Sequence, residues 1–267
     1  MNLAGKTAIV TGASRGLGPH IAKTLAAKGV KIVALARNIK GLETTKSEIN
    51  LSGQNCNIIS FDLTQINKLD FLVNDIWEKY GPIDILINNA GIENYQHFDH
   101  LTKDMLSDII STNLRSPLEL TRCLLPKMIN QKSGHIINIA SLAGKKGVAY
   151  NSVYSASKAG LLMWSDALRQ EYKNSPIDIS VICPGFVSDA GMFHDGKLDA
   201  PKLLGTSSPQ KVANAVIKAI SKGSCEIIVN SSPIRPLLAL GQISWKLADK
   251  ITRLFGVPAL SRKRISV

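Results

Sequence analysis

The sequence of 267 residues lacks the features of a secreted, membrane-spanning or disordered protein. Its four cysteines lie at least 42 residues apart, so no pair has the spacing of a metal-ligand or redox motif. No run of 18 residues is free of charge, and the N-terminus does not resemble a secretory signal. A hydrophobic fraction of 45% with 19% charged residues is globular composition. We therefore expect a cytoplasmic globular protein.

Acidic side chains are also scarce, since 20 Asp and Glu face 32 Lys and Arg and leave a formal net charge of +12. Such a surplus indicates an anionic partner: a nucleotide, an acidic protein, a lipid headgroup or nucleic acid. Much of it lies in residues 233–267, where seven basic side chains accompany one acid. Nucleic acid is not expected, because aromatic residues make up only 5% and no helix-turn-helix or stacking sheet is recognisable.

Short apolar runs alternate with longer amphipathic stretches along the chain. The runs are rich in Ile and Val on consecutive positions, which is typical of parallel strands covered on both faces. They are Thr7–Val10, Lys31–Ala36, Asn57–Phe61, Ile83–Ile87, His135–Ala140, Ile177–Cys183 and Glu226–Val229. Crossover helices are predicted over segments such as Pro19–Lys28, Ile66–Tyr80, Lys103–Gln131 and Val153–Lys173. The pattern predicts a doubly wound parallel α/β sheet, a Rossmann fold of about seven strands, as a single domain over residues 1–232.

The first predicted strand runs into a glycine-rich turn, Thr11-Gly-Ala-Ser-Arg-Gly-Leu-Gly18. Gly12, Gly16 and Gly18 allow a tight turn and let a pyrophosphate approach the backbone. The helix that follows offers free N–H groups and the positive end of its dipole. Ser14 is expected to donate a hydrogen bond to a phosphate or within the turn. This placement between a strand and a helix predicts a dinucleotide site.

The end of the second predicted strand indicates which dinucleotide binds. An acid there would bind the adenosine 2′-hydroxyl, but the strand ends Ala34-Leu-Ala-Arg-Asn38 without one. Arg37, together with Arg15, instead supplies cations where a 2′-phosphate would lie, and arginine suits bidentate phosphate recognition. We therefore predict NADP(H) rather than NAD(H).

Tyr154 and Lys158 lie four residues apart in a predicted helix and so share one of its faces. With a reference pKa of ~10, tyrosine is a poor acid–base group at neutral pH, and a neighbouring ammonium lowers that pKa. Ser141 ends the fifth predicted strand, where a strand end and a helix start can converge. The three side chains predict a proton-transfer site.

In this order, the motifs make the sequence similar to the short-chain dehydrogenase/reductase family of the single-domain type, over roughly Leu3 to Val229. Besides the glycine turn and the three residues above, the resemblance rests on Asp62-Leu63, Asn88-Asn-Ala-Gly91, Asn113 and Pro184-Gly185. It implies an NADP-dependent enzyme that interconverts a small-molecule carbonyl and a secondary alcohol by hydride transfer. It also implies a homodimer or homotetramer built on the helices near Lys103–Gln131 and Val153–Lys173.

The resemblance further implies residue roles. Tyr154 would exchange the proton with the substrate oxygen, to which Ser141 would also hydrogen-bond. Lys158 would lower the pKa of Tyr154 and hold the nicotinamide ribose, and Asn113 would hold a proton-relaying water. The implied cofactor contacts are Gly12, Ser14, Arg15, Gly16, Leu17, Gly18, Arg37, Asp62, Leu63, Asn89, Ala90, Gly91, Tyr154, Lys158, Pro184, Gly185 and Val187. Asp189 departs from the family pattern, which usually has a Thr that meets the nicotinamide carboxamide; Asp can accept from the amide but cannot donate.

Residues 189–208, interrupted by glycines and a proline, are expected to form a lid over the substrate. The lid carries an apolar set that either lines a pocket for a lipophilic substrate or only packs the loop down. The set is Met192, Phe193, Leu198, Leu203 and Leu204.

Pro236–Phe255 predicts an amphipathic helix within a basic C-terminal extension, residues 233–267, with Gly256 and Pro258 ending it. Its predicted apolar face comprises Leu240, Ile243, Leu247, Ile251 and Leu254, and in the membrane interpretation Trp245 would lie at the boundary with the lipid. Residues 236–264 either contact an anionic membrane peripherally or pack on their own domain, over the substrate pocket or on a partner subunit.

Two further functions remain as alternatives. A 3-oxoacyl-thioester (acyl-carrier-protein) reductase would suit the basic surface, because carrier proteins are acidic. A non-catalytic NADP-binding regulatory protein would use the same fold, but the presence of Ser141, Tyr154 and Lys158 argues against it.

Overall fold

Seven parallel strands form one sheet in the computed structural model, which describes residues 2–201 and 204–266. The strand order is β3-β2-β1-β4-β5-β6-β7. The strands are β1 Thr7–Thr11, β2 Lys31–Ala36, β3 Cys56–Ser60, β4 Ile85–Asn88, β5 Gly134–Ile139, β6 Ile177–Pro184 and β7 Glu226–Val229. This strand order confirms the predicted doubly wound sheet. Helices cover both faces of the strands, and this is what buries their consecutive apolar residues.

Helices cover both faces of this sheet. They are α1 Leu17–Ala26, α2 Ile39–Leu51, α3 Leu69–Tyr80, α4 Lys103–Ile110, α5 Ser116–Asn130, α6 Ser152–Glu171, α7 Met192–Asp195 and α8 Pro209–Lys222. Apolar residues of α1, α2 and α8 pack on one face, and those of α3, α5 and α6 pack on the other. Within β1, Val10 joins the first cluster and Ile9 the second, as the alternation of side chains along a strand requires. None of the helices in the described residues is long and apolar enough to cross a membrane.

The strand order reverses between β1 and β4, and this opens a crevice at the carboxyl ends of both strands. Thr11, the last residue of β1, ties the two ends together. Its Oγ1 donates to the Ile87 carbonyl at 3.1 Å and accepts from the Asn89 and Ala90 amides at 2.9 and 3.0 Å. Open α/β sheets bind ligands at such a reversal.

The C-terminal extension forms α9 Arg235–Ile243, α10 Trp245–Leu254 and α11 Val257–Lys263. The prediction of one continuous helix over Pro236–Phe255 is wrong. Ser244 is extended (φ −149°), and its hydroxyl caps α10 by accepting from the Leu247 amide at 3.3 Å. Gly256 ends α10 as predicted, but Pro258 stands in the first turn of α11, where its missing N–H costs nothing.

Candidate active site

The glycine-rich turn follows β1 directly and contacts the segment after β4. Gly12 and Gly16 both have φ of +66°, which favours glycine. A Cβ at Gly12 would lie 2.8 Å from the Ala90 Cα, and one at Gly18 would collide with the Gly12 carbonyl. Gly16 precedes α1 and offers no side-chain cap, so no side chain of the N-cap occupies the first N–H groups of that helix. These features fit a diphosphate at the helix N-terminus.

The two predicted 2′-phosphate arginines line the same cavity as the glycine turn. Each faces a carboxylate: Arg37 Nη1 is 3.7 Å from Asp62 Oδ2, and Arg15 Nη1 is 3.4 Å from Asp195 Oδ2. Both arginine side chains are mostly exposed, so they retain donors for a further anion. Ser14, Leu17, Leu63 and Asn89 also line this end of the cavity.

The predicted proton-transfer residues converge at the carboxyl edge of β5. Tyr154 and Lys158 occupy the first two turns of α6, and Lys158 Nζ lies 5.8 Å from the centre of the Tyr154 ring. Lys158 Nζ donates to the Ile139 carbonyl of β5 at 2.8 Å. The Ser141 hydroxyl follows the same strand, accepts from the Ala143 amide at 3.1 Å and hydrogen-bonds to Tyr154.

Burial sets the protonation of this pair. Desolvation, followed by the nearby Glu93 carboxylate, raises the pKa of Tyr154 above its ordinary value, and the hydrogen bond with Ser141 only partly opposes this. Desolvation lowers the pKa of Lys158 to about 8. The net direction is upward because of burial, and the lowering of the pKa of Tyr154 by Lys158 stays a prediction. A raised pKa keeps the phenol protonated and able to donate.

Asn113 is fully buried in a single π turn, Ser111–Arg115, that joins α4 to α5. Its Nδ2 donates to the Ile92 carbonyl at 2.9 Å and to Ser157 Oγ at 3.0 Å, and its Oδ1 accepts from the Ile92 amide at 2.8 Å. The side chain thus fixes the segment after β4 against α6. The relaying water assigned to Asn113 stays a prediction.

The predicted nicotinamide contacts follow β6. Gly185 donates to the Val229 carbonyl at 2.9 Å, and a side chain there would collide with Asn230. Val187 bridges to Ser207 and closes the base of the lid, in which α7 is the helical part. Asp189 is left-handed (φ +62°) and its carboxylate accepts from Ser188 Oγ at 2.6 Å. Leu203, one of the predicted lid residues, lies outside the described residues.

Sequence reasoning missed a second set of residues in the same cavity. Glu93 and Tyr95 after β4, and Arg264 near the C-terminus, line it together with Tyr154. Apolar side chains of the last helices also line it, which fits the predicted alternative that the extension packs over the substrate pocket; they are Leu237, Leu238, Trp245, Ile251, Phe255, Val257 and Leu260. The cavity measures about 960 Å³. No motif marks Glu93 or Arg264, which are 171 residues apart in sequence, so only folding could bring them together.

The fold and this site define a nicotinamide-dinucleotide oxidoreductase. A short chain dehydrogenase family model matches residues 6–199. The ketoacyl reductase HetN of Nostoc sp. (strain PCC 7120) is 49% identical, covering 98% of this chain and 93% of that protein. Among solved structures, a metagenomic short-chain oxidoreductase in complex with NADP has a TM-score of 0.73 at 29% identity, covering 86% of this chain and 98% of its own. A variant of actinorhodin polyketide ketoreductase with NADPH has a TM-score of 0.76 at 28% identity, covering 86% and 96%.

The chain belongs to the short chain dehydrogenase family, so the resemblance predicted from the sequence is confirmed. It is an oxidoreductase that interconverts a carbonyl and an alcohol.

Proposed function

We propose that this enzyme uses NADPH to reduce the carbonyl of a lipophilic substrate, and that the substrate class is a 3-oxoacyl thioester. One observation carries the proposal. Ser141, Tyr154 and Lys158 meet in a single cavity that joins the glycine turn at one end to an apolar lining from the C-terminal helices at the other. A dinucleotide at the turn and a hydrophobic substrate at the other end would both reach Tyr154.

Bound NADPH supplies the hydride. Tyr154, kept protonated by burial, donates its proton to the carbonyl oxygen that becomes the alcohol. Ser141 accepts from the Ala143 amide and hydrogen-bonds to Tyr154, so its hydroxyl lies where it would bond to the same substrate oxygen. Lys158 holds a positive charge beside the phenol and stabilises the negative charge that develops during proton transfer.

The preference for NADP(H) rests on the absence of an acid at the end of β2 and on the two arginines near Asp62 and Asp195. Arg37→Ala should raise the Kd of NADPH about tenfold or more and leave that of NADH unchanged, because only NADPH carries the 2′-phosphate. Arg169→Ala, at an arginine on the far end of α6, is the matched control. Equal affinity of the wild type for the two cofactors would contradict the preference.

The substrate class rests on the shape and lining of the cavity. Pockets of ~300–1,000 Å³ with mostly apolar walls and a few polar groups are typical ligand sites. A 3-oxoacyl chain presents one polar reacting end and a long hydrophobic remainder, which matches a cavity lined both by polar Ser141 and Tyr154 and by apolar side chains of α9–α11. The relatives named ketoacyl reductase and polyketide ketoreductase support the same class.

The test is NADPH oxidation over a panel of 3-oxoacyl thioesters of increasing acyl length, simple ketones and steroid ketones. We expect kcat/KM to be highest for thioesters and to rise with acyl length until the cavity is filled. A preference for steroid ketones would overturn the substrate class. If the wild type turns over every compound no faster than Tyr154→Phe does, the non-catalytic NADP-binding alternative would be favoured.

We also propose that the C-terminal extension contacts an anionic membrane surface. Ile243, Trp245 and Leu254 are 82%, 78% and 81% exposed. Exposed Lys246 and Lys250 lie in α10 with Trp245 and Leu254, which suits anionic headgroups. The same helices roof the cavity, so a lipophilic substrate could enter from the lipid.

Flotation with vesicles tests this contact. The triple variant Ile243→Ser, Trp245→Ser, Leu254→Ser should lose binding to vesicles containing anionic lipid. A control with Leu51→Ser and Phe71→Ser, at equally exposed apolar positions elsewhere, should keep it. Equal flotation of the two variants, or no flotation of the wild type, would remove the lipid hypothesis.

The homo-oligomer is proposed on α4, α5 and α6. Met105 and Leu106 on α4 and Met163 on α6 are exposed large apolar side chains, which a partner subunit would cover. Met163→Glu should shift the mass measured by light scattering toward the monomer. A wild-type protein that is already monomeric would contradict the proposal.

A further inference from the structure

Arg264 returns from the end of the chain into the active-site cavity. Its Nη2 lies 2.6 Å from Glu93 Oε1 and donates to the Met192 carbonyl of the lid helix α7 at 2.7 Å. The two paired side chains are only 10% and 13% exposed. The guanidinium carbon also lies 4.2 Å from the centre of the Tyr95 ring.

Glu93 extends this contact to the catalytic helix. Its second carboxylate oxygen accepts from Asn151 Nδ2 at 3.2 Å, and Asn151 is the residue directly before α6. Tyr154 stands three residues further on, and the Glu93 carboxylate acts on it electrostatically. One ion pair therefore joins the C-terminal segment, the lid, the segment after β4 and the start of α6.

The lid residue that Arg264 holds lies over the catalytic edge. A Cβ built on Gly91 would stand 3.3 Å from Met192 Cε and 3.6 Å from Lys158 Nζ. Met192 therefore reaches the same point as the catalytic lysine. Phe193, the next residue, has its ring 5.8 Å from the Arg264 guanidinium. Arg264 therefore binds the backbone of Met192 and lies beside the ring of Phe193.

Because the Glu93–Arg264 pair is buried, loss of one partner should strongly destabilise the contact that the pair makes. Removing one charge leaves the other desolvated without compensation, whereas an exposed pair contributes little. Arg262, two residues earlier, is the exposed counterpart: its Nε donates to the Tyr150 hydroxyl at 3.2 Å. The two arginines offer a comparison within one short segment.

We propose that Arg264 is a specificity-determining residue that, through Glu93 and Met192, fixes the lid against the wall beside Tyr154 and so sets which carbonyl substrates fit. The inference rests on the proposed function, because it concerns the substrate end of the same cavity. Arg264 acts here as a positioning residue. It takes no part in the proton or hydride transfer.

The experiment compares kcat and KM for Arg264→Ala, Arg264→Lys and Arg262→Ala over 3-oxoacyl thioesters of increasing length and branching. In Arg264→Ala we expect KM for the preferred substrate to rise about 10–200-fold, the range for a lost pocket contact. We expect kcat to stay within about threefold of the wild-type value. The kcat/KM of bulkier substrates should rise relative to that of the preferred substrate. Arg264→Lys should recover part of the discrimination, and Arg262→Ala should match the wild type.

Glu93→Gln is the second variant, for use if Arg264→Ala does not fold. It keeps the shape of the side chain and removes the charge, so it should shift the substrate profile in the same direction by a smaller factor. The Kd of NADPH should not change in any of these variants.

A wild-type substrate profile in Arg264→Ala, or in Glu93→Gln where the former does not fold, would overturn the inference and leave the proposed function intact. If the wild type itself turns over none of the substrates in the panel, the proposed function would be overturned instead.

Discussion

At the edge of β5, a half-buried phenol and a buried ammonium are each driven toward the neutral form. Burial holds the pKa of Tyr154 above its ordinary value and lowers the pKa of Lys158 to about 8. Reduction of a carbonyl needs a protonated acid and a nearby cation, and both are present at neutral pH. The site is thus set for proton donation, and its cation is the group that titrates first as the pH rises.

Tyr154→Phe should lower kcat by about 10²–10⁴-fold, because it removes the proton donor. The Kd of NADPH, measured by its fluorescence, should stay within a factor of about three, since the ring and its packing remain. Tyr172→Phe, at the end of the same helix, serves as the control and should keep full activity. Near-wild-type turnover of Tyr154→Phe would contradict the assignment.

The pH profile should report Lys158. Its cation is present below its folded-state pKa of about 8 and is lost as the pH rises through that value. The kcat/KM for NADPH-dependent reduction, measured between about pH 6 and pH 10, should therefore be flat below pH 8 and fall above it. Tyr154 stays protonated over this interval. In Lys158→Arg the falling limb should move to higher pH, because a guanidinium does not titrate there. A wild-type profile that is flat to pH 10 would show that the cation is not required.

At the scale of elements, caps and breaks decide where helices stop, and these were the hardest boundaries to predict. Ser244 interrupts an apolar periodicity that continues across it, because its hydroxyl satisfies the Leu247 amide and starts a new helix. The π turn around Asn113 instead lies within the predicted helix Lys103–Gln131 without ending it, and Asn113 there satisfies the Ile92 backbone. Both signals are single polar residues, which helical periodicity does not register.

The cap of α8 offers a stability test at this scale. Ser208 accepts from the Lys211 amide at 3.3 Å, and the helix buries Val212 and Val216 against the sheet. Ser208→Ala should lower the free energy of unfolding by about 1 kcal/mol, measured by urea denaturation. Ser221→Ala, at an exposed position of the same helix, should change it by less than about 0.5 kcal/mol. Equal losses in the two variants would show that the cap does not stabilise α8.

At the scale of the whole molecule, the net charge of +12 attracts anionic molecules at long range, whereas the cavity selects a substrate by direct contact. If the substrate is carried on an acidic protein, as the proposed function allows, the net positive charge would steer that protein toward the enzyme, whereas a small thioester has no charge to steer. The two kinds of substrate should therefore respond differently to salt.

With carrier-bound 3-oxoacyl substrates, kcat/KM should fall several-fold between about 0.05 and 0.5 M NaCl, because salt screens exposed charges. With the matching N-acetylcysteamine thioester it should stay nearly constant. The measurement is the initial rate of NADPH oxidation at subsaturating substrate. The same salt dependence for both substrates would exclude an electrostatic role in carrier recognition.

The sequence by itself determined the sheet, its crossover helices and the meeting of Ser141, Tyr154 and Lys158 at the carboxyl edge of β5. Continuous Ile and Val runs such as Lys31–Ala36 can be buried only in a covered parallel strand, and the glycine turn needs positive φ that other residues disfavour. Those constraints are local, so they can be read along the chain. Tertiary structure alone decided the direction of the pKa shift of Tyr154, because desolvation depends on everything packed around it. It also decided the Glu93–Arg264 contact and the roof of α9–α11, since these join parts of the chain that share no periodicity and meet only after the sheet has formed.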